Sequence, residues 1–363
     1  MTRVLLVTGL VGGGVGRHVQ QLTGELVHRG HDVRVACPPE VATRLHLADA
    51  GADVVPVHIG AAPAPHRDRG TVTDLARAMA GVDVVHAHGV RAGALAALAR
   101  GRGEDRPALV VTLHNAAPGG RLRAALHAGL ERVVARQADL VLGVSADLVA
   151  RARVLGAPQV DRAVVPAARA RPGRSAEDVR TELGVGDRPL VVSVGRLAPQ
   201  KGFDRLLETM ATQDLGGMLL LVGEGPQRPA LSRQVERLRL PVLLLGHRED
   251  VPDLLGAADV AVSAARWEGQ PVWLQEALSV GLPVVATDVG GTRDVLDGAG
   301  VLVPGEDLDA LVAAVCRLLA DPEARAEQAR LSRARSDRLP TAGEAADAAL
   351  TAYQRACGSR RTR

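Results

Sequence analysis

The sequence is poor in residue types that several classes of protein require. Its three cysteines, Cys37, Cys316 and Cys357, lie far apart and form neither a paired metal motif nor a disulfide framework. Two tryptophans, one tyrosine and one phenylalanine are too few for the stacking surfaces that bind single-stranded nucleic acid. No apolar run approaches the roughly 18–20 residues of a membrane span, and residues 1–10 do not form a secretory signal. We therefore expect a cytoplasmic protein that binds no nucleic acid and associates at most peripherally with the inner membrane face.

Lysine is almost absent as well. The chain has 44 lysine and arginine residues, and only Lys201 is a lysine. Such a composition is typical of a GC-rich, actinobacterial-like genome, in which arginine supplies nearly every positive charge. A retained lysine indicates a tight anion site, because a compact ammonium and a planar guanidinium are not interchangeable there.

Short apolar runs alternate with longer helical stretches in the first half of the chain. Continuous apolar runs are typical of parallel strands that are buried on both faces. We predict strands at 3–9, 32–37, 53–57, 83–87, 108–113, 139–144 and 162–165. The predicted helices between them include 17–29, 91–100 and 121–136. This βαβ series predicts a doubly wound α/β domain over residues 1–167.

A second βαβ series follows a Pro- and Gly-rich linker at 166–175. Its predicted strands are 189–194, 217–222, 242–245, 259–263, 283–286 and 300–303. Its predicted helices include 204–211, 227–238, 271–280 and 308–319, and helical sequence continues to about Cys357. We predict two α/β domains, 1–167 and 168–340, facing each other across a deep cleft. Ligands of such folds bind at the carboxyl ends of the strands.

The first predicted strand leads into a glycine cluster, Gly12, Gly13, Gly14 and Gly16, followed by Arg17 and His18. Glycines let the backbone approach a ligand, and the helix that follows presents free N–H groups to an anion. The spacing does not match the G-x-G-x-x-G fingerprint, and no ribose-binding acid stands near the end of the second strand. A dehydrogenase that binds NAD is therefore disfavoured, and a tight strand–helix turn remains the alternative to an anion contact.

Two cations, Arg196 and Lys201, lie in the loop between the strand 189–194 and the helix 204–211. An arginine can bind phosphate oxygens with two N–H groups, and a lysine adds a point charge. This loop therefore predicts a diphosphate site at the carboxyl end of its strand.

Two acids, Glu268 and Glu276, bracket the start of the predicted helix 271–280, with Pro271 as its first residue. The N–H groups of Val272 and Trp273 then face the loop, where they can bind a phosphate. Carboxylates beside an anion repel it unless they bind hydroxyls, so we predict that Glu268 binds sugar hydroxyls and Glu276 ribose hydroxyls. A pair of glycosidase carboxylates is the alternative interpretation.

Histidines mark two strand ends of the first domain. His86 and His88 end one predicted strand, and His114 and Asn115 follow another. His86 and His88 are conceivable metal ligands, but no acid or cysteine clusters near them in the sequence, and we predict no metal site. His114 stands beside the only asparagine, which favours a place in the site.

Together these motifs resemble glycosyltransferase family 4, a family of retaining enzymes that use nucleotide sugars and have two Rossmann-like domains of the GT-B type. The most specific matches are the two glutamates eight residues apart, SVGRLAPQKGFDRLL at 193–207, VGEGPQR at 222–228 and GLPVVATDVGGTRDVL at 281–296. The segments GRHVQQL, DVVHAHG and VTLHN match the first domain of the family, so the resemblance covers most of the chain.

The resemblance implies a role for each matching position. Arg196 and Lys201 would hold the donor diphosphate, Glu276 the ribose, and Glu268 the hexose. Gly13 and Gly14 would contact the phosphates, and the backbone of Gly269, Gln270, Pro271, Val272 and Trp273 the sugar and phosphates. The loop Gly246, His247 and Arg248 would hold the base. His114 would lie by the donor sugar, and His18, His88 and Asn115 are assigned to the acceptor.

The implied reaction is transfer of a hexosyl unit, with retention by attack on the same face and without a metal ion or cofactor. The acceptor would be a hydroxyl group of a small or lipid-linked molecule. A UDP-sugar is the favoured donor and GDP-mannose the second candidate. The family usually has Phe-Gly where this chain has Gln270-Pro271, so the hexose cannot be copied from it. The segment 341–363 would cross back to the first domain.

Three other functions stay open at the level of sequence. A nucleotide-sugar epimerase and a sugar phosphorylase use similar two-domain folds, and a binding protein could keep a donor site without catalysis.

The helix 121–136 could lie on a membrane surface, but its lack of aromatic residues favours a core-facing amphipathic helix.

Overall fold

The computed structural model describes residues 1–10, 13–60, 62–101, 103, 105–116, 121–167 and 169–359, without the side chains of 121–123. The chain divides into two units, the first formed by Met1–Pro166 with Pro340–Arg363 and the second by Ala167–Leu339. The predicted boundaries at 167 and 340 differ from these by one residue. Gly12 of the glycine cluster and Ala168 of the linker lie outside the described residues.

The first unit is a βαβ series whose strands are mostly buried, except for the two at the sheet edges, which are partly exposed. Its strands among the described residues are β1 (Arg3–Thr8), β2 (Asp32–Cys37), β3 (Asp53–Pro56), β4 (Val84–His88), β5 (Ala108–Leu113), β6 (Leu140–Gly143) and β7 (Val160–Arg162). The helices between them are α1 (Gly13–His28), α2 (Pro39–Arg44), α3 (Pro65–Ala78), α4 (Val90–Ala99), α5 (Arg121–Gln137) and α6 (Ala146–Val154).

The second unit repeats this pattern. Its described strands are β8 (Leu190–Val194), β9 (Met218–Val222), β10 (Val242–Gly246), β11 (Val260–Ser263), β12 (Val284–Asp288) and β13 (Val301–Pro304). Its described helices are α7 (Ala176–Leu183), α8 (Phe203–Met210), α9 (Arg228–Leu238), α10 (Val251–Ala257), α11 (Val272–Ser279), α12 (Thr292–Leu296), α13 (Leu308–Ala320) and α14 (Pro322–Ser336). The chain then returns to the first unit as α15 (Ala342–Gly358).

Both sheets are parallel, and in both the strand order reverses direction beside the first strand of the unit. The order is β3-β2-β1-β4-β5-β6-β7 in the first sheet and β10-β9-β8-β11-β12-β13 in the second. In an open sheet of this kind, the loops at the carboxyl ends of the strands around the reversal form the ligand-binding edge. The topology therefore directs attention to the loops after β1 and β4 and to those after β8 and β11.

The helix α15 packs into the core of the first unit. A capping box starts it, in which Thr341 and Glu344 satisfy each other's backbone N–H groups. Ala346, Ala349 and Tyr353 are buried in one hydrophobic cluster with Leu22 and Leu26 of α1. Small residues on this face of the helix let it lie close to its neighbours, and they leave Tyr353 as the one large buried side chain that α15 contributes to this cluster.

Most predicted elements that do not coincide with the structure differ from it by one or two residues at an end. The predicted helix 17–29 differs more, because α1 (Gly13–His28) begins four residues earlier. The predicted strand 162–165 was placed on its valines, whereas β7 is Val160–Arg162, because backbone pairing with β6 sets its register through Val141 and Val160. Pro271 is the N-cap of α11 and not its first helical residue, because its ψ of 88° is not helical.

The predicted core-facing orientation of the helix 121–136 holds only in part. In α5, Val134 is buried and Leu126 is 45% exposed, so its apolar residues do not all face the core.

None of the helices formed by the described residues combines the length with the apolar character needed to cross a membrane.

Candidate active site

Arg196 and Lys201 lie at the carboxyl end of β8, in the loop and single 3-10 turn that lead to α8. The side chain of Lys201 passes over Gly195, where an added Cβ would lie 2.9 Å from the lysine Cε. Arg196 is exposed, and its guanidinium has no hydrogen bond or ion pair among the described residues. Lys201 therefore points back over the strand end, while Arg196 is available at the surface of the same loop.

The ammonium of Lys201 donates a hydrogen bond to the carboxylate of Glu268, and the two side chains form an ion pair. Glu268 is buried in the loop between β11 and α11. The loop is fixed beside Lys201 by two hydrogen bonds, from Arg266 N to the Gln200 carbonyl at 2.8 Å and from Gln200 Nε2 to the Trp267 carbonyl at 3.1 Å. These bonds bring together a cation and an acid that are predicted to bind neighbouring parts of one donor.

The loop after β12 approaches Glu268 from another direction. Gly291 N donates to the Glu268 carbonyl at 3.0 Å. Gly290 has a φ of +52°, and a Cβ at this position would overlap the Glu268 carbonyl oxygen. Only glycine meets both requirements, so this glycine holds the backbone of Glu268 in place.

The loops after β8, β9 and β10 are joined by backbone hydrogen bonds. Leu197 N donates to the Glu224 carbonyl at 2.9 Å, and Gly223 N donates to the Gly246 carbonyl at 2.7 Å. Gln227 N also donates to the Leu197 carbonyl, at 2.9 Å. The predicted diphosphate loop and the predicted base loop are therefore parts of one connected edge of the second sheet.

The predicted base loop, Gly246 to Arg248, can offer a nucleotide base its backbone groups and the imidazole of His247, but not the guanidinium of Arg248. His247 is exposed. The Arg248 side chain donates to both Asp250 oxygens, at 2.7 and 2.6 Å, and to Glu182 at 2.9 Å. These hydrogen bonds raise the pKa of Arg248 above its ordinary value and use its guanidinium within the protein. Any base contact at this loop would therefore be made by backbone groups or by His247.

The start of α11 lies directly after Glu268. Val272 and Trp273 are its first two residues, whose N–H groups have no acceptor within the helix. Gly269 and Pro271 are buried, and Glu276 is half-buried one turn further along the helix. The first N–H groups of α11 therefore lie between the two acids along this segment.

Four histidines are brought together in the first unit. His88 Nδ1 and His114 Nε2 are 3.2 Å apart, and the ring of His86 lies 4.3 Å from that of His88 between centroids. His18, from α1, packs edge-on against His88 at 5.4 Å and lies 5.8 Å from His114. Of the predicted acceptor residues, Asn115 is exposed, whereas His18 and His88 are buried.

These imidazoles are neutral at pH 7. Burial lowers the pKa of His18 to about 4 and, together with the charge of His18, that of His86 to about 3. Burial and the neighbouring imidazoles lower the pKa of His88 and His114 well below the ordinary value. Each ring therefore has one N–H donor and one bare nitrogen.

Sequence reasoning missed Tyr353. Its hydroxyl lies 2.8 Å from His86 Nδ1, and the other ring nitrogen of His86 lies 2.7 Å from Thr112 Oγ1. Both nitrogens of His86 are used in this way, and among the described residues no group of three or more potential ligands is arranged to hold a metal ion. Tyr353 is the only tyrosine in the chain, which is the one signal in the sequence that could have drawn attention to it.

A cavity of about 330 Å³ lies within the first unit beside His18 and His86. Alanines of α15 form much of its wall, and Arg162 and Arg355 also line it. The histidine cluster therefore has open space on the side of α15.

The remaining predicted residues of the first unit are two glycines. Gly13 is the first residue of α1, exposed and with a φ of +54°, and Gly14 is half-buried. They lie directly before the turn of α1 that carries His18, at the carboxyl-end side of β1.

Comparison with known proteins agrees with this geometry. Residues 13–168 match the model of the glycosyl transferase 4-like domain, and residues 188–321 match that of glycosyl transferases group 1. The chain is 30% identical to D-inositol 3-phosphate glycosyltransferase of Xylanimonas cellulosilytica over 97% of its length and 94% of that protein. It is 32% identical to alpha-D-kanosaminyltransferase of Streptomyces kanamyceticus, over 42% of each chain. It is 37% identical to a GDP-mannose-dependent alpha-(1-6)-phosphatidylinositol monomannoside mannosyltransferase of Mycolicibacterium smegmatis, over 40% of this chain and 42% of that one.

Solved structures share the fold. A crystal structure of the Anabaena protein HepE in complex with UDP and glucose superposes with a TM-score of 0.82 at 20% identity, covering 98% of this chain and all of that one. The sucrose-phosphate synthase of Thermosynechococcus elongatus gives 0.80 at 21% identity and covers 98% of this chain. The chain belongs to glycosyltransferase family 4 and has the GT-B fold. It is a glycosyltransferase.

Proposed function

We propose that this glycosyltransferase is a retaining hexosyltransferase that takes its sugar from a nucleoside-diphosphate donor. The contact between Lys201 and Glu268 beside the start of α11 carries the proposal. It joins the only lysine of the chain to the first of the two glutamates of the family motif. Arg196 and Lys201 hold the diphosphate, Glu268 binds hexose hydroxyls, and Glu276 binds the ribose.

The departing diphosphate is the group that most needs stabilisation. When the bond between the anomeric carbon and the phosphate oxygen breaks, negative charge collects on the leaving group. A preorganised donor aimed at such charge is worth roughly 3 kcal/mol, or about 10²–10³ in rate. Arg196, Lys201 and the first N–H groups of α11 supply this positive potential, so the proposed reaction requires no metal ion and no cofactor.

The proton of the acceptor hydroxyl has a place to go without a protein base. In the proposed front-face reaction, the acceptor oxygen bonds to the anomeric carbon on the side from which the phosphate leaves. The acceptor proton passes to the departing phosphate oxygen, so the sugar keeps its anomeric configuration. His114 lies by the donor sugar in this proposal and acts as a hydrogen-bond partner.

We propose UDP as the donor nucleotide, with GDP-mannose as the second candidate. The first choice is supported by the fold neighbour described with UDP and glucose, and the second by the mannosyltransferase relative. The acceptor is a hydroxyl of a small or lipid-linked molecule, as the names of the inositol phosphate and phosphatidylinositol relatives suggest.

A thermal-shift panel with UDP, GDP, ADP and dTDP and their common sugar conjugates tests the donor assignment. We expect one nucleotide to raise the melting temperature of the wild type and not that of Lys201→Ala. Arg330→Ala is the control, because this exposed arginine of α14 pairs with Glu327 at the surface. Equal stabilisation of wild type and Lys201→Ala would contradict the assignment of Lys201.

The single lysine allows a second, chemical test. An amine-directed acylating reagent can label only Lys201 and the chain terminus. We expect the nucleotide selected by the panel to protect Lys201 and not the terminus. Labelling of Lys201 that is unchanged at saturating nucleotide would place the diphosphate elsewhere.

A further inference from the structure

The contact between His88 and His114 determines what His114 can offer to a substrate. His88 Nδ1 and His114 Nε2 are separated by 3.2 Å, and both rings are buried in the first unit. Two neutral imidazoles can share one hydrogen bond in two ways, with the proton on either of the facing nitrogens. The two arrangements leave opposite groups at the outer nitrogens of the two rings.

The outer nitrogen of His88 distinguishes the two arrangements. His88 Nε2 is buried and has no hydrogen-bond partner among the described residues. If His114 donated, the proton of His88 would lie on this nitrogen as a buried N–H without an acceptor, which costs about 1–3 kcal/mol. If His88 donates from Nδ1, its Nε2 is a bare acceptor, and buried acceptors without partners are tolerated better than donors. The structure therefore favours His88 as the donor.

The ring of His88 is held in this orientation by its neighbours. His86 lies 4.3 Å away with its plane tilted by 35°, and both of its nitrogens are occupied by Tyr353 and Thr112. His18 also packs edge-on against the ring of His88, with 5.4 Å between the ring centroids. Rotation of His88 to exchange its nitrogens would require these buried groups to move together.

We propose that His88 is a positioning residue that holds His114 in the tautomer protonated at Nδ1. No hydrogen bond of the described residues uses His114 Nδ1, so this N–H is the group that His114 presents. With Nε2 occupied and Nδ1 protonated, His114 donates a hydrogen bond to a substrate oxygen and does not take up the acceptor proton. That the oxygen belongs to the donor sugar or the acceptor rests on the proposed function.

The position of the proton can be read directly by two-bond ¹⁵N–¹H correlation spectra of protein labelled at its histidines. His114→Gln identifies the His114 signals by their loss. At neutral pH we expect a protonated Nδ1 and a bare Nε2 for His114 in the wild type. His88→Asn keeps an amide N–H that can donate to Nε2, so the same signature is expected. His88→Leu removes the donor, and His114 should then show both tautomers.

Two results would overturn the proposal. One is a wild-type His114 that is protonated at Nε2. The other is a His88→Leu protein in which His114 stays fully in the Nδ1–H form, since His88 would then not determine the tautomer. The wild-type spectrum decides even if His88→Leu does not fold. The measurement needs no nucleotide sugar, so it can fail or succeed independently of the donor assignment, which the thermal-shift panel tests on the second unit.

Discussion

The ammonium of Lys201 lies against the carboxylate of Glu268, a residue 67 positions further along the chain. Their side chains are only 18% and 7% exposed. The pair offsets the charge of the acid in the loop that leads to α11. Because the lysine neutralises Glu268, an anion can bind beside this acid without the repulsion that an unpaired carboxylate would cause.

The close approach of Lys201 to Gly195 predicts an effect of a single methyl group. A Cβ at Gly195 would lie 2.9 Å from Lys201 Cε and 3.3 Å from its Cδ and Nζ. We expect Gly195→Ala to displace the lysine and to weaken binding of the nucleoside diphosphate about tenfold, or about 1.4 kcal/mol. Titration calorimetry with the nucleotide selected by the panel measures this change.

Gly173→Ala is the matched control for this prediction. It adds the same methyl group in the same unit, where the nearest atom is an Asp253 oxygen at 3.9 Å. In a Lys201→Ala background, Gly195→Ala should add no further loss, because both changes act on the same contact. Additive losses would show that the methyl group acts other than through the lysine.

Glu276 is predicted to bind the ribose. Removing a hydrogen-bonding carboxylate costs about 1.5–3 kcal/mol, so Glu276→Ala should lower nucleotide affinity by about one to two orders of magnitude and abolish transfer. The 2′,3′-dideoxy analogue of the same nucleotide should bind wild type and variant alike, since it lacks the hydroxyls in question. If Glu276→Ala weakens the analogue as much as the parent nucleotide, the ribose assignment is wrong.

A buried ion pair stabilises the first unit. Arg100 and Asp139 are 2.5 Å apart with side chains 2% and 7% exposed, and Asp139 also accepts from Leu109 N at 2.8 Å. Asp139→Asn removes the carboxylate charge that faces the buried guanidinium, and we expect a loss of about 3 kcal/mol in the free energy of unfolding. Urea unfolding followed by circular dichroism measures it.

An exposed pair in the same unit provides the comparison. Arg77 and Asp74 pair at 3.2 Å on the surface of α3. Asp74→Asn should change stability by less than about 1 kcal/mol. Similar losses in the two variants would mean that burial does not set the strength of the Arg100–Asp139 pair.

The histidine cluster predicts that the first unit loses stability in mild acid. The pKa of His86 is lowered to about 3 and that of His18 to about 4, against an ordinary value of 6.5. Above pH 6.5 neither state binds these protons. As the pH falls below that value, the unfolded chain is protonated and the folded chain is not, so stability decreases. The expected slope is about 1.4 kcal/mol per pH unit for each buried neutral histidine.

Hydrogen exchange read by mass spectrometry can follow the two units separately between about pH 7 and 5, where carboxylates stay ionised. The second unit has a single histidine, His247, which is exposed. Its opening free energy should therefore change much less with pH. His86→Phe should reduce the slope of the first unit by about one proton. Parallel slopes in the two units would contradict the prediction.

Much of the fold could be predicted because parallel strands that are buried on both faces leave a local signal. The predicted strands 32–37 and 108–113 coincide with β2 and β5, and every residue of both pairs with a neighbouring strand. The strand 162–165 was misplaced because its valines lie beyond the residues that pair with β6. Pro271 was misplaced by one position because proline is common both at the N-cap and at the first helical residue, and only its ψ distinguishes them.

The candidate site was predictable to the extent that it follows strand ends. Lys201, Glu268 and Glu276 lie in loops and helix starts that the sequence identifies, and the single lysine gave an independent signal. The contact of Tyr353 with His86 spans 267 positions, and no local pattern predicts such a contact. Nor could the sequence show that Arg248 donates to Asp250 and Glu182, because Glu182 lies in α7, 66 positions earlier in the chain.

Local sequence patterns specify the two βαβ units, the order of their elements and the set of side chains available at the strand ends. These properties depend on apolar periodicity and turn residues, which act over a few positions. The contact of Lys201 with Glu268 and the hydrogen bond between His88 and His114 depend instead on the packing of distant elements. The two residues of each pair are 67 and 26 positions apart in the sequence. They meet only when whole strands and helices pack together, because no local conformational preference acts over such separations.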